Sequence, residues 1–202
     1  MKILKSILAM TMLAFVAVSC SDNDDVVLDD VVAKKIENLY APGEGRGNYT
    51  GEFTKFSFKE GKQVTGDNWD IAFRATEIIV NGGKKGALLE DIDRTGNASM
   101  MLLSSTSLQG VTTAPAETEL KQDSEEELVI KTGSNQGWYT YNQENHTIAP
   151  IAGKVIVVKT IDGNYAKMEI LSYYKDSTPS LEGSKYYTFN YVYNPNIGDT
   201  KF

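Results

Sequence analysis

The stretch that most constrains the fold of this chain is Lys154 to Tyr174. Its first half, Lys154 to Ile161 (K-V-I-V-V-K-T-I), is dense in β-branched residues, which suit a pleated strand better than a helix. Asp162-Gly163 follows, a dipeptide favoured in two-residue primed turns, and Asn164 to Tyr174 (N-Y-A-K-M-E-I-L-S-Y-Y) runs back. The pattern predicts a hairpin with Ala166, Met168 and Ile170 on one, buried, face and Lys167 and Glu169 on the other.

The rest of the chain reads the same way. Lys185 to Tyr193 places Tyr187, Phe189, Tyr191 and Tyr193 on a common face of a strand. Phe53, Phe56 and Phe58 crowd an aromatic run that ends at Glu60-Gly61. Trp69-Asp70-Ile71-Ala72-Phe73 alternates, which predicts Trp69, Ile71 and Phe73 on one face, and Glu77 to Val80 leads to the turn Asn81-Gly82-Gly83. Only Val31 to Leu39 reads as a short helix, followed by the loop Ala41-Pro42-Gly43-Glu44-Gly45-Arg46-Gly47. The expectation is an all-β chain with one antiparallel β-rich domain over residues 49–202 and a lead-in segment over 20–48.

The first residues carry an address. Lys2 and Lys5 precede the apolar stretch Ile7 to Val18, and Ala17-Val18-Ser19-Cys20 reads as a bacterial lipobox. Residues 1–19 are expected to be a signal peptide and Cys20 the lipidated first residue of the mature chain. The apolar stretch falls short of the roughly 20 residues that a membrane-spanning helix needs, so anchoring without spanning is the expectation. Cys20 is the only cysteine. Its lipidation leaves no thiol for disulfides, metal sites or nucleophilic catalysis. Ser21-Asp22-Asn23-Asp24-Asp25 then reads as an acidic, solvated linker.

Composition and motif content exclude several functions. Loss of Lys2 and Lys5 takes the net charge from −7 to −9. An acidic chain without a basic stripe is a poor partner for nucleic acid, which is bound through displacement of phosphate counterions by lysine and arginine. One histidine, His146, cannot build a two-imidazole site, and no serine lies in a G-x-S-x-G elbow. Asp91-Ile92-Asp93-Arg94-Thr95-Gly96 opens like a calcium loop, but its twelfth position is Leu102 where a bidentate glutamate belongs, so a polar turn is the better account. Glu125-Glu126-Glu127 reads as a solvated charge run. No enzymatic activity is expected.

Three methionines follow the signal segment: Met100, Met101 and Met168. Methionine ordinarily fills core gaps, and Met168 fits that role on the buried face of the hairpin. Met100 and Met101 are adjacent, so on a strand they point to opposite faces and one of them turns away from the core. His146 follows Gly137-Trp138-Tyr139-Thr140-Tyr141 in the polar stretch Asn142 to Asn145. A lone histidine there is ordinarily solvated.

Taken together, Phe56-Ser57-Phe58, Trp69-Asp70-Ile71-Ala72-Phe73, Gly137-Trp138, Val155 to Val158, Asp162-Gly163-Asn164-Tyr165-Ala166-Lys167 and the C-terminal tyrosine strand resemble the HmuY family over about residues 50–195. That family comprises lipid-anchored, all-β haem-binding proteins of the Bacteroidetes, and the acidic run behind Cys20 resembles their surface-export signal. The resemblance implies capture of haem from host haemoproteins at the cell surface and delivery to an outer-membrane transporter. It implies an iron ligand in the loop after Trp138, where His146 falls. The second ligand region maps onto Glu119 to Gln136, which holds neither histidine nor methionine. The iron would then be held by His146 alone, by His146 with a methionine such as Met100 or Met101, since imidazole and thioether both ligate haem iron, or by an unexpected group. Trp138, Tyr139 and Tyr141 are the expected aromatic contacts and Lys84-Lys85 a candidate cationic partner for the propionates. The alternative is a surface lipoprotein of the same fold that has lost haem and binds a glycan, a peptide or a protein.

Overall fold

The computed structural model describes residues 27–202. The lipobox, Cys20 and the acidic run lie outside the described residues. Thirteen strands run through the rest: β1 (Val32–Tyr40), β2 (Glu44–Arg46), β3 (Asn48–Thr50), β4 (Thr54–Ser57), β5 (Lys62–Gln63), β6 (Ile71–Arg74), β7 (Glu77–Val80), β8 (Ser99–Leu103), β9 (Tyr139–Asn142), β10 (Thr147–Pro150), β11 (Val155–Lys159), β12 (Tyr165–Tyr174) and β13 (Ser184–Asn194). Two short 3-10 turns are the only helical elements among the described residues, so the chain is all-β, as its alternation predicts.

Two antiparallel sheets form the body. The larger has the order β1-β13-β12-β11-β8 and the smaller β5-β4-β6-β7. Their facing sides make the main core: Phe56, Ile71, Phe73, Ile78 and Val80 from the smaller sheet meet Met100, Ile156, Val158, Met168 and the row Tyr187, Phe189, Tyr191, Tyr193 from the larger. The tyrosine row therefore shares one buried face, and Ala166, Met168 and Ile170 lie in the same cluster. Aromatic edges meet faces within it, as in Phe56 against Phe189 at 5.3 Å and 79°, the geometry that ring quadrupoles favour.

Each sheet is also covered on its outer side. Leu108, Val111, Ala114 and Leu120 close over Val155, Val157 and Tyr165 behind the larger sheet. Phe53, Trp69, Leu128 and neighbouring loop residues close over Ala72 and Ile79 behind the smaller one. Double coverage is why β6 and β7 are buried at every position and read as near-continuous apolar runs.

Three sequence expectations need correction. Val31 to Leu39 is not a helix: β1 is an edge strand of the larger sheet, paired antiparallel with β13, so the sheet already begins inside the segment drawn as a lead-in. Its apolar residues are spaced four and then three apart because a bulge adds one residue. Val32 and Ile36 face Tyr193 and Phe189, the register shifts, and Leu39 faces Tyr187. Asn38 takes up the extra residue at φ 57°, and its amide exchanges two hydrogen bonds of 2.8 Å with Asp176. A strand with one bulge thus imitates helical spacing.

The second correction concerns Trp69. It precedes β6 and packs in the outer cluster with Ala72 and Ile79, opposite Ile71 and Phe73. The third concerns the Lys154–Tyr174 hairpin, whose strands form as expected but whose turn does not. The Gly163 amide donates to the Thr160 carbonyl at 3.0 Å, Thr160 and Asn164 pair at 2.8 Å, and Gly163 has φ 83° while Asp162 has no positive φ. This is a three-residue loop with glycine in the left-handed position, not a two-residue primed turn.

Candidate functional site

A cleft of about 560 Å³ opens where the two small hairpins approach the chain segment that joins β12 to β13. That volume falls in the range of roughly 300–1,000 Å³ usual for small-molecule sites. One wall is the β9–β10 hairpin, with Tyr139, Tyr141, His146 and Ile148. A second is the β2–β3 hairpin, with Arg46 and Tyr49. Tyr173 and Tyr174 from β12, Leu181 from the following segment, and Ser184 and Lys185 at the start of β13 complete it.

The β9–β10 hairpin is built locally and then anchored. Asn142 pairs with Thr147 across a four-residue turn. The turn is tied by asparagine side chains: the Glu144 amide donates to Asn142 at 2.8 Å and the Thr147 hydroxyl to Asn145 at 2.6 Å. Such side-chain turns are why Asn and Asp populate these loops. His146 closes the turn at φ 56°, a left-handed conformation that histidine enters more often than most side chains. Trp138, just before β9, donates its indole N–H to the Thr76 carbonyl at 3.0 Å and fixes the hairpin to the smaller sheet.

The central feature is a pair on this hairpin. Tyr141 Oη and His146 Nδ1 are 2.6 Å apart, and the two rings lie 29° from parallel with centroids 6.2 Å apart. Tyr141 is 41% exposed, so the pair faces the cleft and solvent. Its backbone is held from both sides: the Tyr141 amide donates to Ser134 Oγ at 2.8 Å, and Ile148, opposite Tyr141 in the ladder, donates its amide to Tyr174 Oη at 2.8 Å.

Charge sets the cleft apart from the rest of the molecule. In a chain of net charge −7, the cleft is lined by Arg46, Lys185 and His146 and by no aspartate or glutamate. The Lys185 ammonium also donates to the Gly43 carbonyl, which holds it at this wall. Tyr173 is buried at the base, and burial pushes its phenol well above the ordinary tyrosine value, with nearby tyrosines adding to the rise. It stays neutral and contributes apolar surface there.

The expected site residues separate into two groups. His146 and Tyr141 come together in the cleft. Trp138 does not line it: the ring is 2% exposed and packs among Tyr139, Tyr173 and Tyr187. Met100 and Met101 alternate as a strand requires, yet neither reaches the cleft. Met100 is buried in the main core opposite Val158, and Met101 packs into the outer cluster. Lys84 and Lys85 are elsewhere, paired with Glu125 and Asp93. The calcium-like loop is closed by its own arginine, since Arg94 pairs with Asp91 at 2.7 Å and with Asp123 at 3.2 Å. Among the described residues no cluster of three or more metal-ligating side chains occurs.

Arg46, Tyr49, Tyr174 and Lys185 were missed by sequence reasoning. Arg46 lies between Gly45 and Gly47 in what reads as an ordinary loop, and only the pairing of β2 with β3 turns it toward the cleft. Tyr173 and Tyr174 are adjacent yet both enter the main core and the cleft, because register shifts around Ser172 break the alternation at the end of β12.

The family model described as HmuY protein matches residues 49–191. The chain belongs to the HmuY family. Among solved structures it is similar to an apo HmuY analog of Tannerella forsythia, with 18% identity, a TM-score of 0.45, and coverage of 84% of this chain and 99% of that one. It is also similar to a protein of Bacteroides vulgatus described as HmuY-like and heme-binding, with 16% identity, a TM-score of 0.44, and coverage of 85% and 98%. No curated protein matches the chain.

Proposed function

We propose that this HmuY-family protein is a cell-surface lipoprotein that binds haem in the cleft between the β2–β3 and β9–β10 hairpins and passes it to an outer-membrane transporter. It is a carrier and no bond of the porphyrin is made or broken. The observation that carries the reading is the composition of the cleft: tyrosine rings for a flat apolar ring system, two cations and no carboxylate for its propionates, and the Tyr141–His146 pair for its iron. Lipid attachment at Cys20 would hold the protein at the outer membrane, where haem from host haemoproteins is available and nucleic acid is not a partner.

The test is optical. Protein lacking residues 1–19 is titrated with haemin, and the reading expects a Soret shift that saturates near one equivalent. Substitutions at Met100 or Met101 should leave the spectrum of the folded complex unchanged, because neither side chain reaches the cleft. An unchanged haemin spectrum on addition of the parent protein would remove the haem function and favour the same fold acting on a glycan, a peptide or a protein.

A further inference from the structure

We propose that Tyr141, as its phenolate, is the protein ligand to ferric haem iron, and that His146 is the positioning residue that accepts the phenol proton. The inference rests on the haem-binding reading above and deepens it.

Three observations carry it. First, the Oη–Nδ1 separation of 2.6 Å marks a well-formed hydrogen bond, and His146 is the one hydrogen-bond partner of the Tyr141 hydroxyl among the described residues. Which group donates depends on the imidazole tautomer. We assign His146 the Nε2–H tautomer, in which the Tyr141 hydroxyl donates to Nδ1 and the imidazole offers the cleft a donor and not a lone pair. Second, the two residues differ in how firmly they are held. Tyr141 lies within β9, with its amide bound by Ser134 and its ladder partner Ile148 bound by Tyr174. His146 sits at the end of the turn in a left-handed conformation. Third, a new anion is tolerated here: Arg46 and Lys185 line the cleft and no carboxylate does.

The coordination step balances without a further reactant. The phenol O–H bond breaks, its proton passes to Nδ1 of His146, and the oxygen lone pair forms the bond to iron, which stays ferric throughout. This is the logic by which a neighbouring base activates a hydroxyl nucleophile, with iron in place of carbon, and tyrosine is an established axial ligand of haem.

Resonance Raman and visible absorption spectra of the haemin complexes test the inference. The parent is expected to show a phenolate-to-iron charge-transfer band with enhanced tyrosine ring modes. Tyr141→Phe should lose both and bind haemin more weakly. His146→Ala should keep the phenolate signature while haemin affinity falls about 10–100-fold, as for other groups that orient a metal ligand. A haemin complex of the parent without phenolate modes, or a Tyr141→Phe complex with an unchanged spectrum, overturns the assignment while leaving haem binding intact. Failure of the parent to bind haemin at all removes both. If Tyr141→Phe fails to fold, Tyr49→Phe and Tyr174→Phe, which should keep the phenolate modes, separate Tyr141 from the other rings of the cleft, and loss of the modes in either overturns the assignment.

Discussion

Asp70 and Ile161, 91 residues apart in the chain, are joined by a hydrogen bond of 3.1 Å from the Ile161 amide to the Asp70 carboxylate. The other carboxylate oxygen accepts the Phe58 amide at 2.9 Å. Asp70 lies in the Trp69–Phe73 segment and Ile161 opens the loop at Asp162-Gly163, so the two most distinctive motifs of the chain meet at one buried carboxylate. That carboxylate links the smaller sheet to the β11–β12 hairpin of the larger.

Burial pushes the Asp70 carboxyl up to about 6, and the two backbone N–H groups only partly offset the rise. An acid whose folded value is raised binds its proton more tightly when folded. Its contribution to stability is therefore greatest below the unfolded value near 4 and is lost as pH rises toward 6, by up to roughly 3 kcal/mol. Asp70→Asn removes this dependence. It also places an NH2 group against one of the two amides, at a cost of about 1–3 kcal/mol. Urea unfolding of parent and variant at pH 4 and pH 7 checks this. The stability gap should narrow at pH 7, and a gap independent of pH would mean that Asp70 titrates as an ordinary surface carboxylate.

How much of this was legible follows from what each element depends on. The β11–β12 hairpin and the tyrosine strand β13 were visible because alternation and β-branching are local and each has a core on one side. β1 was not, since the bulge at Asn38 is set by pairing with β13 and by Asp176, which lies far along the chain. Trp69 was placed on the wrong face because the chain turns at Asp70 to satisfy Phe58 and Ile161, a requirement invisible in the alternation of the segment. In the cleft, His146 and Tyr141 were readable because both sit on one hairpin. Arg46 and Lys185 were not, since they are 139 positions apart and meet only in the folded chain.

Trp138 was expected against the ligand and instead anchors the hairpin. Trp138→Phe keeps a ring in the core but leaves the buried Thr76 carbonyl without its indole donor. The expected cost is about 1–3 kcal/mol, read as a fall in Tm of about 2–4 °C per kcal/mol for a domain of this size. Haemin affinity of the folded variant should be unchanged. A selective loss of affinity with normal stability would restore Trp138 to the binding site.

Two glycines with similar backbone angles should respond very differently to alanine. At Gly83, φ is 90° and a Cβ would lie 1.9 Å from the Asp123 carbonyl oxygen. That carbonyl accepts the Lys84 amide, while the Asp123 carboxylate accepts the amides of Val80 and Val129, both at 3.0 Å. Nothing there can give way cheaply, so Gly83→Ala should cost more than about 3 kcal/mol or prevent folding. At Gly163, φ is 83° but the nearest atom to a Cβ is Ile197 at 3.7 Å. Gly163→Ala should cost only about 1–2 kcal/mol, the strain of the left-handed conformation itself. Urea midpoints of the two variants measure the contrast, and equal midpoints would show that the close approach at Gly83 is relieved by movement of the loop.

Electrostatics in the cleft give a prediction about the propionates. Arg46 is exposed on the β2–β3 hairpin, so its substitution leaves the core untouched. Arg46→Glu reverses one of the two lysine or arginine charges lining a cleft that otherwise has no carboxylate. Exposed ion pairs contribute about 0.2–1 kcal/mol, and exchanging attraction for repulsion roughly doubles that, so haemin affinity should fall about 2–30-fold. The loss should shrink as salt is raised, because exposed charges are screened. Haemin dimethyl ester, which has the same ring and iron but no propionate charge, supplies the control. Its affinity should fall less than that of haemin, by no more than the loss of a cation near the Tyr141 oxygen. An equal loss for the ester would mean that Arg46 does not act through the propionates.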